Sequence, residues 1–273
     1  MAALDLAPPQ LPTVRALHAA LRVSARVASV VALLVAWELL ARSGLLTPYQ
    51  LPRLSTVLAH IWSDAITGDL PFNTAVTIGR AMLGFAIAAS GGVALGVAMS
   101  RIPLARWFFD PLVSIGFPMP KIAFLPVIIL WLGVYNVSKL TMIVFDSIFP
   151  VIAATIIAIQ GVERELIWSA RNMGAGEREL LWQIVLPAAL PQIMTGLQVA
   201  LPLALIVAVL TEMLMGGYGL GAAMMTASRF ANSVGVFAGN VEIAVVGYAL
   251  VKAMALIRRR LLIWHQEAAE PTA

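Results

Sequence analysis

Cysteine is missing from the 273 residues, and charge is scarce, Asp, Glu, Lys and Arg together making up 12% of the chain. The first absence excludes disulfides, thiolate metal sites and thiol nucleophiles. The second excludes an ordinary soluble domain, in which about a quarter of the residues are charged. Histidine occurs only as His18, His60 and His265, all outside the long apolar runs, so no Ser-His pair and no His-rich metal site is assembled within them. An intramembrane enzyme is therefore disfavoured, and neither catalytic residues nor a metal site is expected. The lysines follow Pro120, Ser138 and Val251. With no Gly-Lys pair there is no P-loop, and any ATP must be bound by another chain.

What the chain has instead is apolar surface: 60% of its residues are hydrophobic and its mean hydropathy is +0.90. Runs of about 20 such residues cross a bilayer as helices, because lipid leaves open backbone groups unsatisfied. The fold class expected is all-α, a polytopic membrane protein with about six transmembrane helices, near 25–45, 76–100, 110–135, 138–160, 189–215 and 236–257. The first run starts only after Arg15, Arg22 and Arg26, contains Glu38 and is followed by Ala41-Arg42-Ser43, so it reads as a span and not as a cleavable leader. Residues 1–24 read as a cytoplasmic amphipathic segment: over 11–26, Val14, Leu17 and Leu21 share one helical stripe and Arg15, His18, Arg22 and Arg26 a neighbouring one, which suits an anionic lipid surface and equally a solvated basic tail.

The basic excess, pI about 9.8, is read as the cytoplasmic bias of membrane-protein loops, with no nucleic acid as partner. An inside N-terminus puts Arg101, Arg106, Arg164, Arg171, Arg178, Lys252 and Arg258 to Arg260 on or beside the inner face, and leaves Arg42, Arg53, Lys139 and Arg229 outside, with Arg80 and Lys121 assigned to neither side. Both termini, including the tail 258–273, are then cytoplasmic.

Within the spans, Gly84, Ala88, Gly92, Gly96 and Ser100 recur every four residues, a small-residue stripe that admits a second helix at backbone distance. The third span is broken, since Ile122 to Tyr135 is too short to cross and must be joined to the segment holding Pro111, Pro118, Pro120 and Pro126. Such irregular backbone is tolerated against protein or a water-filled cavity. Arg80, Asp146 and Glu212 lie within or near spans, where each charge costs about 2.5–3.5 kcal/mol to insert. They are the pathway candidates, and pairing between helices would equally account for them.

From Gly161 the chain turns polar, with Glu163, Arg164, Glu165, Arg171, Glu177, Arg178 and Glu179 in quick succession. This segment, about 161–188, cannot cross a bilayer. Gly174-Ala175-Gly176 supplies a hinge between two short helices, Glu177 and Glu179 favour the start of the second, and Leu180, Leu181, Ile184 and Val185 form an apolar face that needs cover. Pro187 is expected to stop it. The product is a rigid helix-turn-helix suited to a groove on another protein.

Gly174, nine residues on Ile184, then Leu186-Pro187 resembles the E-A-A-x3-G-x9-I-x-L-P signature of permease subunits in ATP-binding-cassette (ABC) importers. Trp37-Glu38-Leu39, Trp131-Leu132-Gly133 with Ser138-Lys139, Pro187-Ala-Ala-Leu-Pro191, Glu212-Met-Leu, Gly219-Leu-Gly221 and Arg258-Arg-Arg-Leu-Leu-Ile-Trp264 extend the resemblance over nearly the whole chain, toward the nitrate, sulfonate and taurine branch. The pattern departs at Trp168-Ser169-Ala170, where the signature has Glu-Ala-Ala, and at Pro52-Arg53, where the branch has Pro-Ser-Pro.

The resemblance implies a type I ABC importer permease occupying 25–257 in a bacterial inner membrane. Its ATPase subunits would bind ATP and Mg, a second copy of the permease would complete a homodimer, and an extracytoplasmic solute-binding protein would deliver a small solute such as a sulfonate or nitrate. Ala170, Gly174, Gly176, Glu177, Leu181, Ile184, Leu186 and Pro187 would couple to the ATPase. Gly174→Glu is expected to insert yet lose coupling, a charged side chain filling the turn. A stand-alone secondary transporter or channel using intramembrane carboxylates is the alternative, and it leaves the polar helix-turn-helix without a role.

Overall fold

The computed structural model describes residues 28–264. The N-terminal amphipathic segment and the end of the tail lie outside the described residues. Helix α1 covers 28–42. After it come α2 (Leu54–Thr67), α3 (Leu70–Arg101), α4 (Pro103–Gly116), a short 3-10 turn (Lys121–Phe124), α5 (Leu125–Leu132) and α6 (Asn136–Gln160). The second half consists of α7 (Arg164–Asn172), α8 (Glu177–Glu179), α9 (Leu186–Met215), α10 (Leu220–Arg229) and α11 (Ser233–Leu261). No strand occurs among the described residues.

Among the described residues, four helical stretches are long and apolar enough to cross a membrane: Leu70–Arg101, Asn136–Gln160, Glu177–Met215 and Ser233–Leu261. The pair Pro103–Gly116 and Lys121–Leu132, bent by 97° at Pro118 and Pro120, makes a fifth if it is one span. This is the interruption expected from the proline cluster. The first expected span, 25–45, falls on α1, which is not among these stretches. The short helices α2 and α10 were not expected, because neither has a run long enough to stand out against its apolar neighbours.

Helices α3, α6 and α9 form the centre of the bundle. Along α3, Gly84, Gly92 and Gly96 each face α6: a Cβ on Gly84 would strike Ile143, one on Gly92 would lie 2.8 Å from the Cβ of Val151, and one on Gly96 would lie 2.6 Å from that of Thr155. Ala88 is fully buried in the same stripe. Backbones that approach this closely gain dispersion contacts that larger side chains would prevent, which matters where lipid supplies no hydrophobic drive between helices. Ala81, Met142, Ile143, Ala204 and Ala208 continue the shared core.

Pro187 does not stop its helix. Residues Glu177–Met215 form one continuous rod of 39 residues, about 58 Å at 1.5 Å per residue. A proline crowds the carbonyl four residues before it, here Gln183, and donates no N–H. The six residues Leu180–Val185 take a π-helical turn, so the helix is widened where the proline would otherwise clash, and α9 starts with Pro187 in its first turn. The second short helix expected from the sequence is thus the first part of the fifth span.

Candidate functional site

Two polar assemblies stand out, one at each end of the bundle. The first is the hairpin joining α7 to α8. Met173 ends α7, and Gly174 follows with φ +88°, the left-handed region that favours glycine. The amide of Gly174 donates to the Arg171 carbonyl (2.9 Å) and that of Ala175 to the Ala170 carbonyl (3.1 Å). These two bonds make a Schellman cap. Gly176 is the N-cap of α8, where its amide donates to the Glu179 carboxylate (3.1 Å). Three backbone amides are thus satisfied within four residues, so the turn is a defined object and not a loose hinge.

A Cβ on Gly174 would meet nothing within 4 Å. The expectation that a side chain there fills the turn is therefore corrected: the cost of substitution is backbone strain, and the side chain itself would point into open space.

The apolar face of the second helix is also corrected. Leu180 and Val185 are buried against Ala158 and Ile159 of α6, Ala170 of α7, and Ala189 and Ile193 of α9, with Leu181, Ile184 and Leu186 packed beside them. The chain covers this face itself, which fixes the hairpin to the bundle. What it presents outward is different: Trp168 (57% exposed), Met173, Trp182 (64% exposed), the Glu177 carboxylate and exposed Pro187. Arg178, Glu179, Trp182 and Gln183 line an open cleft of about 260 Å³ on this surface. Trp168 occupies the position where the signature has Glu, so an indole stands there in place of a carboxylate.

The second assembly lies at the opposite end of the rod. Glu212, with no exposed surface, takes Arg80 NH1 at 2.7 Å, the Thr77 hydroxyl at 2.8 Å and the Gly221 amide at 3.2 Å. Arg80, 11% exposed at its side chain, also donates to the Tyr218 carbonyl (2.6 Å) and to Asn136 Oδ1. Lys139 donates to the Gly216 carbonyl, Asn73 accepts from the Gly219 amide (2.8 Å) and Thr77 accepts from the Leu220 amide (2.9 Å). Three helices, α3, α6 and α9, thereby fasten the 216–221 turn that leads into α10.

The pair Arg80 and Glu212 was among the sequence candidates, but its partners Thr77 and Asn136, and Asn73 and Lys139, which hold the turn beside it, were not. The signal available was polarity inside apolar runs, which marks a residue without naming what it meets. Asp146, the third candidate, does not join this assembly. It lies 3.7 Å from Lys121 Nζ at the break between α4 and α5. Lys121 is 8% exposed, donates to the Phe117 carbonyl (2.9 Å) and sits 4.9 Å from the Phe149 ring centroid. The irregular backbone is therefore tied to α6 by charge and by a cation–π contact, and the hydrogen bond to Phe117 closes the break on itself.

The described residues thus form an all-helical bundle with a broken span and a capped polar hairpin continuous with a long helix. The fold is similar to a chain of the inward-facing MetNI methionine ABC transporter, with a TM-score of 0.64 and 18% identity, over 73% of this chain and 99% of that one. The model of the family described as "Binding-protein-dependent transport system inner membrane component" matches residues 88–262, and the chain belongs to that family. Among its relatives, the taurine transport system permease protein TauC of Escherichia coli K12 is 30% identical over 90% of this chain and 91% of its own length. The putative aliphatic sulfonates transport permease protein SsuC of Bacillus subtilis 168 is 30% identical over 84% of this chain and 83% of its own. The chain is thus a multi-pass inner-membrane permease of an ABC importer, and permeases of this family are not themselves catalytic.

Proposed function

We infer that this permease imports a small sulfonate-like anion and is driven by a separate ATPase that docks on the α7–α8 hairpin. The observation that carries the reading is the hairpin's construction: a Schellman-capped turn, packed onto α6 and running without interruption into the rod Glu177–Met215. A groove that moved the hairpin would move a transmembrane helix directly. Ala170, Leu181, Ile184 and Leu186 act by seating the hairpin on the bundle, Gly174 and Gly176 by shaping the turn, and Glu177 and Pro187 lie on the outward surface. ATP and Mg belong to the ATPase.

The remaining parts follow from that placement. The hairpin end of the bundle faces the cytoplasm, with both termini, the 1–24 segment and the 258–273 tail on the same side. The opposite end, with the 216–221 turn, faces an extracytoplasmic binding protein. Two copies of the chain pair in the lipid bilayer to enclose the pathway. The sulfonate assignment draws on the names carried by the taurine and aliphatic sulfonate relatives.

Because the natural chain has no cysteine, a single Glu177→Cys or Arg178→Cys variant carries the only thiol in it. In sealed right-side-out cells these thiols are expected to resist a membrane-impermeant maleimide, and in inverted vesicles to react. Reaction exclusively from the outer side would sink the docking reading.

A further inference from the structure

Resting on the reading that the hairpin docks on an ATPase, we propose that Glu177 is a carboxylate exchanged between two arginines, and that Arg101, at the end of α3, is the positioning residue through which hairpin movement reaches that helix. Glu177 Oε1 lies 2.7 Å from Arg171 NH2 within the hairpin. Its other oxygen lies 4.0 Å from Arg101 NH1, across the gap to α3. The first pair is made and the second is half made.

Arg101 carries the reason to expect a second arrangement. Its Nε and NH2 are buried and donate to no acceptor among the described residues. Guanidinium N–H groups shielded from water without an acceptor are unfavourable, and a planar guanidinium takes a carboxylate through two parallel bonds. Glu177, still 71% exposed at its side chain, is the acidic partner of Arg101 and has room to turn toward it from Arg171. Charge-assisted bonds of this type close at about 2.8 Å, so a displacement of roughly 1 Å completes the NH1 bond, and the oxygen released from Arg171 is then available to the unpartnered NH2.

The geometry of the rod makes such a displacement small for the molecule. Glu177 sits at one end of the helix whose other end is held by Arg80 through Glu212. The same two elements, α3 and the rod, are therefore joined by an Arg–Glu pair at each end, tight at one and loose at the other. Between the two carboxylates lie roughly 50 Å of helix, so a tilt of about one degree about the tight end supplies the 1 Å. Movement of the hairpin toward α3 transfers the carboxylate from Arg171 to Arg101 and binds the hairpin to α3. Movement away returns it. Packed elements that shift between two arrangements in this way carry motion without deforming.

The test uses the complete transporter, this chain with its ATPase and binding protein, in proteoliposomes. In the otherwise cysteine-free chain, the pair Arg101→Cys and Glu177→Cys is oxidised in the nucleotide-free and the vanadate-trapped states. A change in disulfide yield of about threefold or more between the states is expected, and equal yields overturn the proposal. Since that pair removes both charges, coupling is measured separately. Arg101→Gln is expected to keep ATP hydrolysis while solute moved per ATP falls about fivefold, with Arg101→Lys and the reversed pair Arg101→Glu with Glu177→Arg each restoring at least half. An unchanged ratio in Arg101→Gln also overturns it. Arg178→Cys, cross-linked to the ATPase, separates the two readings. No cross-link overturns the docking reading and this one with it, whereas a good cross-link with a flat 101–177 yield overturns the exchange alone.

Discussion

A carboxylate with no exposed surface survives at position 212 because one guanidinium, one hydroxyl and one amide converge on it. Removing one member of a buried ion pair leaves the other uncompensated, at about 3–5 kcal/mol. Arg80→Gln is therefore expected to lower the melting temperature and membrane abundance of the purified permease sharply, and Arg80→Gln with Glu212→Gln together to recover most of the loss. If Arg80 is a structural partner, the KM for uptake in the surviving Arg80→Gln protein stays near that of the natural chain. A large rise in KM with stability intact would move Arg80 to the pathway instead. Gly174 makes a different demand. A side chain at φ +88° strains the turn by about 1–2 kcal/mol although it touches nothing. Gly174→Ala and Gly174→Glu should therefore both insert normally and both weaken ATPase co-purification, Gly174→Glu no more than a fewfold beyond Gly174→Ala. A severe defect confined to Gly174→Glu would show that the side chain collides with the partner and that strain is secondary.

Helices were more legible than their ends. The four-residue stripe of α3 announced a close helix, and the proline cluster after Pro111 announced a break, because spacing and proline chemistry are local properties. Pro187 misled, since its effect depends on whether the preceding turn can widen, and that is settled by the packing of Leu180 and Val185 against α6 and α9. The Glu212 assembly was legible only as isolated polarity: Arg80 and Glu212 are 132 positions apart, and no periodicity connects them. The stripe itself yields a test. At Gly92 a Cβ would lie 2.8 Å from the Val151 Cβ and 3.2 Å from the Ile148 carbonyl, which is main chain and cannot rotate away. Gly92→Leu should separate α3 from α6 and abolish accumulation, and Gly92→Ala should cost about 1–3 kcal/mol of stability, visible as earlier thermal aggregation in detergent. Gly79, where a Cβ meets nothing within 4 Å, is the control, and Gly79→Ala should behave as the natural chain does.

At the scale of the molecule, the question is where the energy for transport enters. Buried acids and bases at the end of the bundle opposite the hairpin, Glu212 with Arg80 and Lys139, would serve a proton-coupled carrier if they could exchange protons with solvent. Here Glu212 accepts from Arg80, Arg80 also donates to the Tyr218 carbonyl and Lys139 donates to the Gly216 carbonyl, so all three are engaged in holding the 216–221 turn. The hairpin, by contrast, displays Trp168, Met173 and Trp182 beside charged residues. Large apolar groups exposed at a polar end imply a protein that covers them. Proteoliposomes containing this chain, its ATPase and binding protein are therefore expected to accumulate solute only with ATP inside, at a rate that an uncoupler changes by less than about twofold. The chain alone, under an imposed proton gradient of either sign, should accumulate none. Trp168→Glu, which restores the signature residue, should lower ATP-driven uptake with this ATPase, because an aromatic contact becomes a charge without a matched partner. Uptake driven by the proton gradient in the absence of the ATPase would transfer the energy source to the Glu212 assembly and leave the hairpin without a function.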